Sequence, residues 1–539
     1  MRFLVYLFAY VCVAAATDAW TKSLELGNVA WARARRNSSF VRIAHGHFLN
    51  AWVTSNETAF EAFWEATRVA VVGCLHDVVP PRAVVHAELL RELSTTASRS
   101  APEGHTLISQ LVATTLLEPA DFLLVSRAWA RAFDDGERLP ERALTETGRI
   151  RVCYVSGHFG DHPVGHHVGA LLRLHDRAAF YVICISLRAD DGSSTHTDNA
   201  ASCDEFHVVD HGAKARDVAL AIAAVRADII VSLDGYDSGH RMDALAFRPA
   251  PISVSFFGFL QTTGATYIDF VVGDAVSTPV ETEKFFTERV LRHPRSFFVT
   301  NYQALHPEIV GARDTRRDRA SNFSFCSFVQ LWKVSSAVAS TWGRILASTV
   351  TTKLLLFNYP PISQAGFLAS HAQLKNYFED GRIHFIDILP RNEHLLYKRE
   401  NCDLGLDTTP YNGHTSTADL LWAGVPVLAI MGDNLAGRAT ASLVTEAGAP
   451  PSFITHTMDE YALRAIEIAS TYTAAADAAR TTADDIDAAG DATAATVDVA
   501  AADINIDLLW RPSQLAPLFD RESFTRGFEG VLREALESK

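Results

Sequence analysis

Residues 402–430 read CDLGLDTTPYNGHTSTADLLWAGVPVLAI, in which two short apolar runs flank a polar turn and an apolar helical pattern. CDLGLD and VPVLAI are typical of buried strands, and TSTADLLWAG between them predicts a helix. Two strands joined through a helix are expected to lie parallel in one sheet. This stretch therefore predicts an α/β fold.

The same alternation occurs twice along the chain. From Arg149 the predicted strands are RIRVCYV, FYVICISL, FHVVD, DIIVSL and PISVSFF, with helices around His167 to Leu174 and Val218 to Val225. From Phe323 they are FSFCSF, KLLLFNY, RIHFI and the pair quoted above, with a helix at Ser335 to Leu346. We therefore expect two Rossmann-like parallel-sheet domains facing across a cleft, preceded by a helical region.

The composition predicts seven segments, each with a distinct character. In chain order they are an apolar leader (1–16), a helical region (17–148), a first Rossmann-like lobe (149–300), a linker (301–320), a second lobe (321–470), an insertion rich in Ala, Asp and Thr (471–507) and a closing helix (508–539). The insertion is either a mobile acidic segment or a weak helix. The closing helix is expected to pack back on the body.

Charge and cysteine usage exclude several classes. The chain has 539 residues, a hydrophobic fraction of 48% and a net charge of -15, which describes a globular protein without the basic face that nucleic acid requires. An anionic ligand would have to be held locally. The seven cysteines, among them Cys153, Cys184, Cys326 and Cys402, mostly lie in apolar runs. They predict buried thiols and neither a disulfide framework nor a zinc site.

The N-terminus leaves the compartment open. Met1-Arg2 precedes an apolar run that ends at Ala16. This pattern fits either a cleavable signal peptide or a first buried helix, and the run is too short to predict a stable membrane span.

The turn before the predicted helix at Asp419 is the first candidate binding site. A helix start offers unpaired amides and partial positive charge, which favour a diphosphate. The hydroxyls of Thr415 and Ser416 can donate to such an anion, and Asp419 lies one turn further for a sugar hydroxyl. Ordinary N-capping by a hydroxyl residue is the structural alternative.

Other loops after strands carry polar residues as well. Gln330 and Lys333 precede a helix capped by Ser335 or Ser336, and Lys333 can meet the same phosphates or remain a solvated lysine. Arg391 and His394 follow a later strand, either as rim residues or as donors to a nucleobase.

A histidine-rich segment follows the first strand of the first lobe. His158, His162, His166 and His167 lie in the loop and at the helix start. His162 and His166 are spaced for a metal, but no acidic partner with a recognised zinc spacing accompanies them, so no metal is expected. A general base or hydrogen-bond donor facing the cleft is the favoured interpretation.

Five motifs in order carry a family resemblance. They are YVSGHFGDHPVGHH (154–167), LDGYDSGHRMDALAFRPAPISVSFFGF (233–259), FVQLWKV (328–334), LPRNEH (389–394) and LDTTPYNGHTSTADLLWAGVPVLAIMGDNLAGR (406–438). Over about Arg149 to Phe528 the chain resembles the O-linked N-acetylglucosamine transferases that modify Ser and Thr of proteins. The resemblance implies a GT-B fold, a UDP-GlcNAc donor, protein or peptide acceptors, and transfer with inversion that needs no metal or other cofactor.

The resemblance also implies roles for single residues. His414, Thr415 and Ser416 match the diphosphate-binding turn, and Asp419 matches the ribose contact. Gln330 and Lys333 match residues near the phosphates, with Lys333 stabilising the leaving UDP. Arg391 replaces a lysine in the uracil-side loop, where His394 matches a histidine. His162 matches an active-site histidine proposed as a base.

The chain departs from the family pattern at several places. Leu260-Gln261 replaces a Pro-Gly pair, and His158 stands where an acidic residue is usual. The lobes are joined only by a short linker, and the superhelix of tetratricopeptide repeats is missing or reduced to a degenerate remnant in residues 17–148.

Two alternatives remain open at this stage. A SPINDLY-type protein O-fucosyltransferase would share the fold and use GDP-fucose, whereas a catalytically silent scaffold would bind the nucleotide sugar without turnover. The resemblance implies the cytoplasm or nucleus, while the run from Met1 to Ala16 is suited to export.

Overall fold

The computed structural model describes residues 118–134, 136–145, 148–309, 323–489 and 510–539. The predicted leader at 1–16 and most of the predicted helical region at 17–148 lie outside these ranges, as does most of the predicted linker. None of the helices in the described ranges is both long enough and apolar enough to span a membrane.

The first lobe is built on a parallel sheet of seven strands. They are β1 (Ile150–Ser156), β2 (Phe180–Ser186), β3 (Glu205–Val208), β4 (Ile229–Ser232), β5 (Ile252–Ser255), β6 (Phe270–Asp274) and β7 (Arg289–His293), in the spatial order β3-β2-β1-β4-β5-β6-β7. Its helices are α1 (Pro119–Phe133), α2 (Pro163–Leu174), α3 (Ser194–Ala201), α4 (Ala215–Ala224), α5 (Met242–Leu245) and α6 (Tyr302–Leu305). The order reverses at β1 and β4, the kind of position where open α/β sheets bind ligands.

The second lobe repeats this plan with six parallel strands. They are β8 (Ser324–Ser327), β9 (Lys353–Phe357), β10 (Ile383–Ile386), β11 (Leu404–Leu406), β12 (Val427–Ile430) and β13 (Ile454–Thr455), in the order β10-β9-β8-β11-β12-β13. The helices are α7 (Ser336–Ser348), α8 (Ile362–Ser370), α9 (Ala372–Glu379), α10 (Arg391–Asn401), α11 (Thr415–Trp422), α12 (Ala439–Glu446) and α13 (Met458–Ala489). The predicted fold class is therefore confirmed.

The two C-terminal segments predicted from the sequence are a helical extension and a closing helix. Within 471–489 the predicted acidic insertion continues the helix α13, and its remainder to Asp507 lies outside the described residues. The closing helix α14 (Arg521–Glu537) packs on the first lobe, where the Phe528 ring lies 4.6 Å from the Phe256 ring. The chain thus returns from the second lobe to the first.

The cysteine prediction was wrong for one pair. Cys184 on β2 forms a disulfide with Cys203, with their Cα atoms 6.2 Å apart. The residues are 19 apart in sequence and show no paired-cysteine motif, but β3 follows Cys203 directly and pairs with β2, which brings the two together. Cys153, Cys326 and Cys402 are buried thiols, as predicted.

Candidate active site

A cavity of about 620 Å³ lies between the lobes. Its walls are formed by loops at the carboxyl ends of strands from both sheets, as expected for an α/β fold. All nine site residues predicted from the sequence line it: His162, Gln330, Lys333, Arg391, His394, His414, Thr415, Ser416 and Asp419. The volume is in the range of about 300–1,000 Å³ that small-molecule sites occupy.

The start of α11 forms one wall of the cavity. Its first internal hydrogen bond runs from the Ala418 amide to the His414 carbonyl at 3.0 Å, so the amides of Thr415 and Ser416 have no partner within the helix. The preceding turn is held by Asp407, whose carboxylate accepts the Gly413 amide at 2.9 Å. Within the described residues, the hydroxyls of Thr415 and Ser416 have no hydrogen-bond partner, so both are available to an anion.

The Lys333 side chain reaches the same volume from the turn after β8. Its Nζ lies 4.1 Å from the centroid of the Tyr411 ring. Removal from water lowers the pKa of Lys333 to about 8, while the Asp237 carboxylate acts in the opposite direction. Ser335 caps the following helix, because its Oγ accepts the Val338 amide at 3.3 Å, so the first of the two predicted caps is the one used.

His414 and Gln330 complete this part of the site. The His414 Nε2 donates to the Ala436 carbonyl at 2.9 Å, so in the neutral ring Nδ1 carries no proton and can accept a hydrogen bond. Burial and then the charge of Lys333 lower the pKa of His414 to about 3. The Gln330 oxygen accepts the Trp332 indole N–H at 2.5 Å, so its NH₂ group is left to donate.

Asp419 is surrounded by donors. Its Oδ2 accepts from Lys398 Nζ at 2.7 Å, and its Oδ1 accepts from the Tyr302 hydroxyl at 2.6 Å and from Arg391 Nη2 at 3.4 Å. Burial alone would raise the pKa of Asp419, but Lys398 and Arg391 outweigh it and hold the pKa well below its usual range. The carboxylate is therefore ionised and oriented before any ligand arrives.

Lys398 and Tyr302 were not predicted from the sequence. Lys398 lies seven residues after Arg391 on α10, which places the two on one helix face. That spacing was a usable signal for Lys398. Tyr302 begins α6, after the last strand of the first lobe, and its stacking on Trp422 with ring centroids 5.6 Å apart is a tertiary contact without a sequence pattern.

Arg391 and His394 occupy the same region of α10. Arg391 joins the lobes, since Nη1 lies 3.1 Å from His166 Nδ1 and Nε donates to His306 Nε2 at 3.1 Å. The His394 ring lies 5.0 Å and 5.2 Å from the rings of Phe328 and Phe357. Its buried Nε2 has no hydrogen-bond partner among the described residues. The apolar rings around His394 form a shelf that is suited to a nucleobase.

The histidine-rich segment forms the opposite wall. His162 caps α2, and its Nδ1 accepts the Val164 amide at 3.3 Å, so the proton of the neutral ring is on Nε2. The His158 ring stacks on it at 3.9 Å and its Nε2 lies 2.6 Å from the Ser238 carbonyl. Burial is the main cause that lowers the pKa of His162 to about 3. His166 is directed to Arg391 and Asp161 instead.

His158, His162 and Asp237 each place a possible metal-ligand atom within 4.8 Å of the others. A metal would nevertheless have to displace either the Nε2 proton of His162 or the amide that its Nδ1 accepts. The donor set is therefore poorly suited to a resident metal ion.

The unusual Leu260-Gln261 pair is part of an ordered turn. Leu260 lines the cavity, and Gln261 is buried with its oxygen accepting the Thr262 amide at 3.2 Å. The turn is held in place by a buried carboxylate, because Thr262 Oγ1 donates to Glu288 at 2.6 Å. With Leu260-Gln261 in place of the Pro-Gly pair, this turn still forms an ordered part of the cavity wall.

Two Rossmann-like lobes with a polar cavity between them define the GT-B class of fold. Residues 135–319 and 306–484 match the model of glycosyl transferase family 41. The chain belongs to this family.

Similar proteins carry consistent names. The chain is 31% identical over 353 residues to the probable UDP-N-acetylglucosamine–peptide N-acetylglucosaminyltransferase SEC of Arabidopsis thaliana, which covers 64% of this chain and 36% of that protein. A SPINDLY protein of Hordeum vulgare with the same enzyme name is 27% identical over 405 residues, covering 74% and 39%. The chain therefore spans little more than a third of the length of these curated relatives.

A solved structure matches almost the whole chain. It is a mutant O-GlcNAc transferase of Thermobaculum terrenum, with a TM-score of 0.67 and 22% identity, covering 99% of this chain and 98% of that chain. At this identity the match supports the fold alone.

Proposed function

We propose that the chain is an inverting, metal-independent glycosyltransferase that moves N-acetylglucosamine from UDP-GlcNAc to Ser or Thr hydroxyls of proteins. The observation that carries the proposal is the convergence of the α11 amides and the Lys333 ammonium on one cavity. Family membership and the names of the relatives agree with it.

The arrangement of the cavity suits a nucleotide sugar. The α11 start and Lys333 would hold the diphosphate, Asp419 would accept ribose hydroxyls, and the shelf beside His394 would take the uracil. The sugar would then face His162 and the turn at Leu260, from which the acceptor approaches.

The chemistry follows from where charge develops. As the bond between the sugar and the diphosphate breaks, negative charge grows on UDP, and donors already aimed at it lower the barrier. Removing one such donor typically costs on the order of 100- to 1,000-fold in rate. In the proposed mechanism Lys333 and the helix start supply this stabilisation, which is the work that a metal ion performs in other transferases.

Donor choice is tested by incubating the protein with labelled UDP-GlcNAc or GDP-fucose and a Ser/Thr-rich peptide. We expect transfer only from UDP-GlcNAc, with inhibition by UDP and not by GDP. The Lys333→Ala variant should lose transfer while its thermal midpoint stays near that of the parent. Transfer from GDP-fucose would favour the fucosyltransferase alternative, and UDP binding without turnover would favour a silent scaffold.

Metal independence has its own test. We expect transfer to continue at an unchanged rate in excess EDTA, because protein donors surround the proposed diphosphate site. Loss of activity in EDTA that a divalent ion restores would contradict this part of the proposal.

A further inference from the structure

Transfer to a hydroxyl needs a group that accepts the hydroxyl proton. We propose that Asp237 is this general base, an inference that rests on the proposed transferase function. Asp237 follows β4 and lines the cavity from the first lobe.

The Asp237 carboxylate is held in place yet remains partly unused. Its Oδ1 accepts the Ser238 amide at 2.7 Å, while Oδ2 has no hydrogen bond within the described part of the chain. The loop is anchored by buried Asp234, whose carbonyl accepts the Asp237 amide at 2.8 Å. Asp234 is itself tied to the end of β1, because it accepts the Ser156 hydroxyl at 2.6 Å and the Gly157 amide at 2.7 Å.

The other carboxylates of the cavity are less suited to this role. Asp419 is bonded to Lys398, Tyr302 and Arg391. The Asp161 side chain is 77% exposed and pairs with His166. Asp237 is half-buried and keeps one oxygen for an incoming hydroxyl.

The histidines are also unsuited as the base. His162 directs its Nδ1 to the Val164 amide, so its remaining nitrogen carries a proton. His166 is engaged by Arg391 and Asp161. His394 stands at the proposed nucleobase shelf, and His414 at the diphosphate beside Lys333.

The position of Asp237 relative to Lys333 fits opposite roles. The two line one cavity from different lobes, and the Asp237 charge raises the pKa of Lys333 against the effect of burial. No ion pair joins them within the described residues, which leaves room for a reacting group between them. His158 and His162 each offer a nitrogen within 4.8 Å of the carboxylate.

The proposed step joins proton transfer to bond exchange at the anomeric carbon. The acceptor Oγ–H proton passes to Asp237 Oδ2 while the Oγ bonds to the anomeric carbon. The bond between that carbon and the β-phosphate oxygen breaks, and UDP leaves with its electron pair. The proton on Asp237 is then released to water.

The test compares two acceptors of different acidity. A Ser peptide needs a base, whereas the thiol of a matched Cys peptide, with an ordinary pKa of about 8.5, is already partly ionised below pH 8, where Lys333 is still charged. With Asp237→Asn we expect kcat on the Ser peptide to fall on the order of 100-fold or more, and the fall on the Cys peptide to be at least ten times smaller. UDP affinity measured well below pH 8, where Lys333 is charged in both proteins, should stay within about twofold, since the proposed base contacts the acceptor and not the nucleotide.

Matched variants separate the proposal from its alternatives. Lys333→Ala should impair both acceptors alike, because the leaving group is the same. Asp210→Asn removes an exposed carboxylate that also accepts a single backbone amide bond, from Gly212 at 3.0 Å, and should leave both rates unchanged. If the parent does not use the thiol, chemical rescue replaces this comparison. Sodium formate, a small carboxylate that can stand in for the missing side chain, should raise Ser-peptide turnover of Asp237→Ala at least fivefold and leave Lys333→Ala unaffected.

The outcomes are distinguishable. Normal Ser-peptide turnover by Asp237→Asn, equal losses on both peptides, or failure of formate to act would overturn the assignment of Asp237 while leaving the transferase function intact. Should Asp237→Asn fail to fold, Asp237→Glu takes its place, with partial activity expected on the Ser peptide and full loss contradicting the proposal. A parent protein that turns over no UDP-GlcNAc would overturn both proposals.

Discussion

At the scale of single residues, Lys333 gives the site a pH dependence. Its pKa is about 8 in the free protein because the ammonium is shielded from water. Below this pH the group is charged and can stabilise the leaving UDP, and above it the group becomes neutral. We therefore expect kcat/KM for UDP-GlcNAc to fall as pH rises through about 8. Initial rates between about pH 6.5 and 9.5 test this, and a flat profile would contradict it.

Lys398 supports Asp419 by a buried charge pair. The lysine is 2% exposed and donates to the carboxylate at 2.7 Å. Lys398→Met leaves a buried charge short of its partner, which should lower the free energy of unfolding by about 3–5 kcal/mol and weaken UDP binding. Denaturant unfolding and calorimetry measure the two effects. Adding Asp419→Asn should restore stability without restoring UDP affinity, and an additive double variant would show that the pair is not coupled.

The nine predicted site residues share a cavity because each lies in or just after a loop at the carboxyl end of a strand. His162 belongs to the first lobe and the other eight to the second, and these strand ends face each other across the cleft. Tyr302 and Asp237 escaped the sequence analysis for a physical reason. Tyr302 acts on the site through Asp419, a contact that forms only when the lobes assemble. Asp237 lies in the loop after β4 and lines the cavity, but a single acidic residue in a loop is not by itself typical of a binding site.

At the scale of elements, strand prediction succeeded for most runs that are apolar on both faces, although the fully buried β6 was missed. β1, β2, β4 and β5 are buried along nearly their whole length and were read directly from the sequence. β7 was missed because Arg289 and Arg292 interrupt its apolar pattern at the edge of the sheet. The short β13 spans only two residues and offers no periodicity.

The docking of α1 on the first lobe depends on Gly264. Its φ is +69°, and an added Cβ would come within 2.2 Å of the Ser126 backbone in α1. Gly264→Ala should therefore lower the free energy of unfolding by about 1–3 kcal/mol. Gly530→Ala is the matched control, since nothing lies within 4 Å of the new methyl group on α14. We expect a neutral or slightly raised thermal midpoint for the control, and equal midpoints for the two variants would refute the prediction.

At the scale of the whole molecule, the lobes are not independent bodies. One apolar cluster runs from the first sheet through Trp422 and Leu435 to Phe519 and Phe528. The tandem series of strands predicted two lobes, and the helical spacing after Arg521 predicted a helix that packs back. Which lobe receives it could not be inferred, because amphipathic spacing specifies a buried face and not its partner.

Arg391 couples ligand binding to this two-lobe arrangement. From α10 in the second lobe it contacts His166 in the first lobe, His306 between the lobes and Asp419 in the site. Arg391→Met keeps the length of the side chain but removes every one of these bonds. We expect weaker UDP binding, by on the order of tenfold for one charged hydrogen bond lost, and faster amide exchange in α2 and α6. Arg344→Met, which removes an exposed pair with Asp459, should change neither. Weaker UDP binding with unchanged exchange in α2 and α6 would place Arg391 in the site alone and refute its role between the lobes.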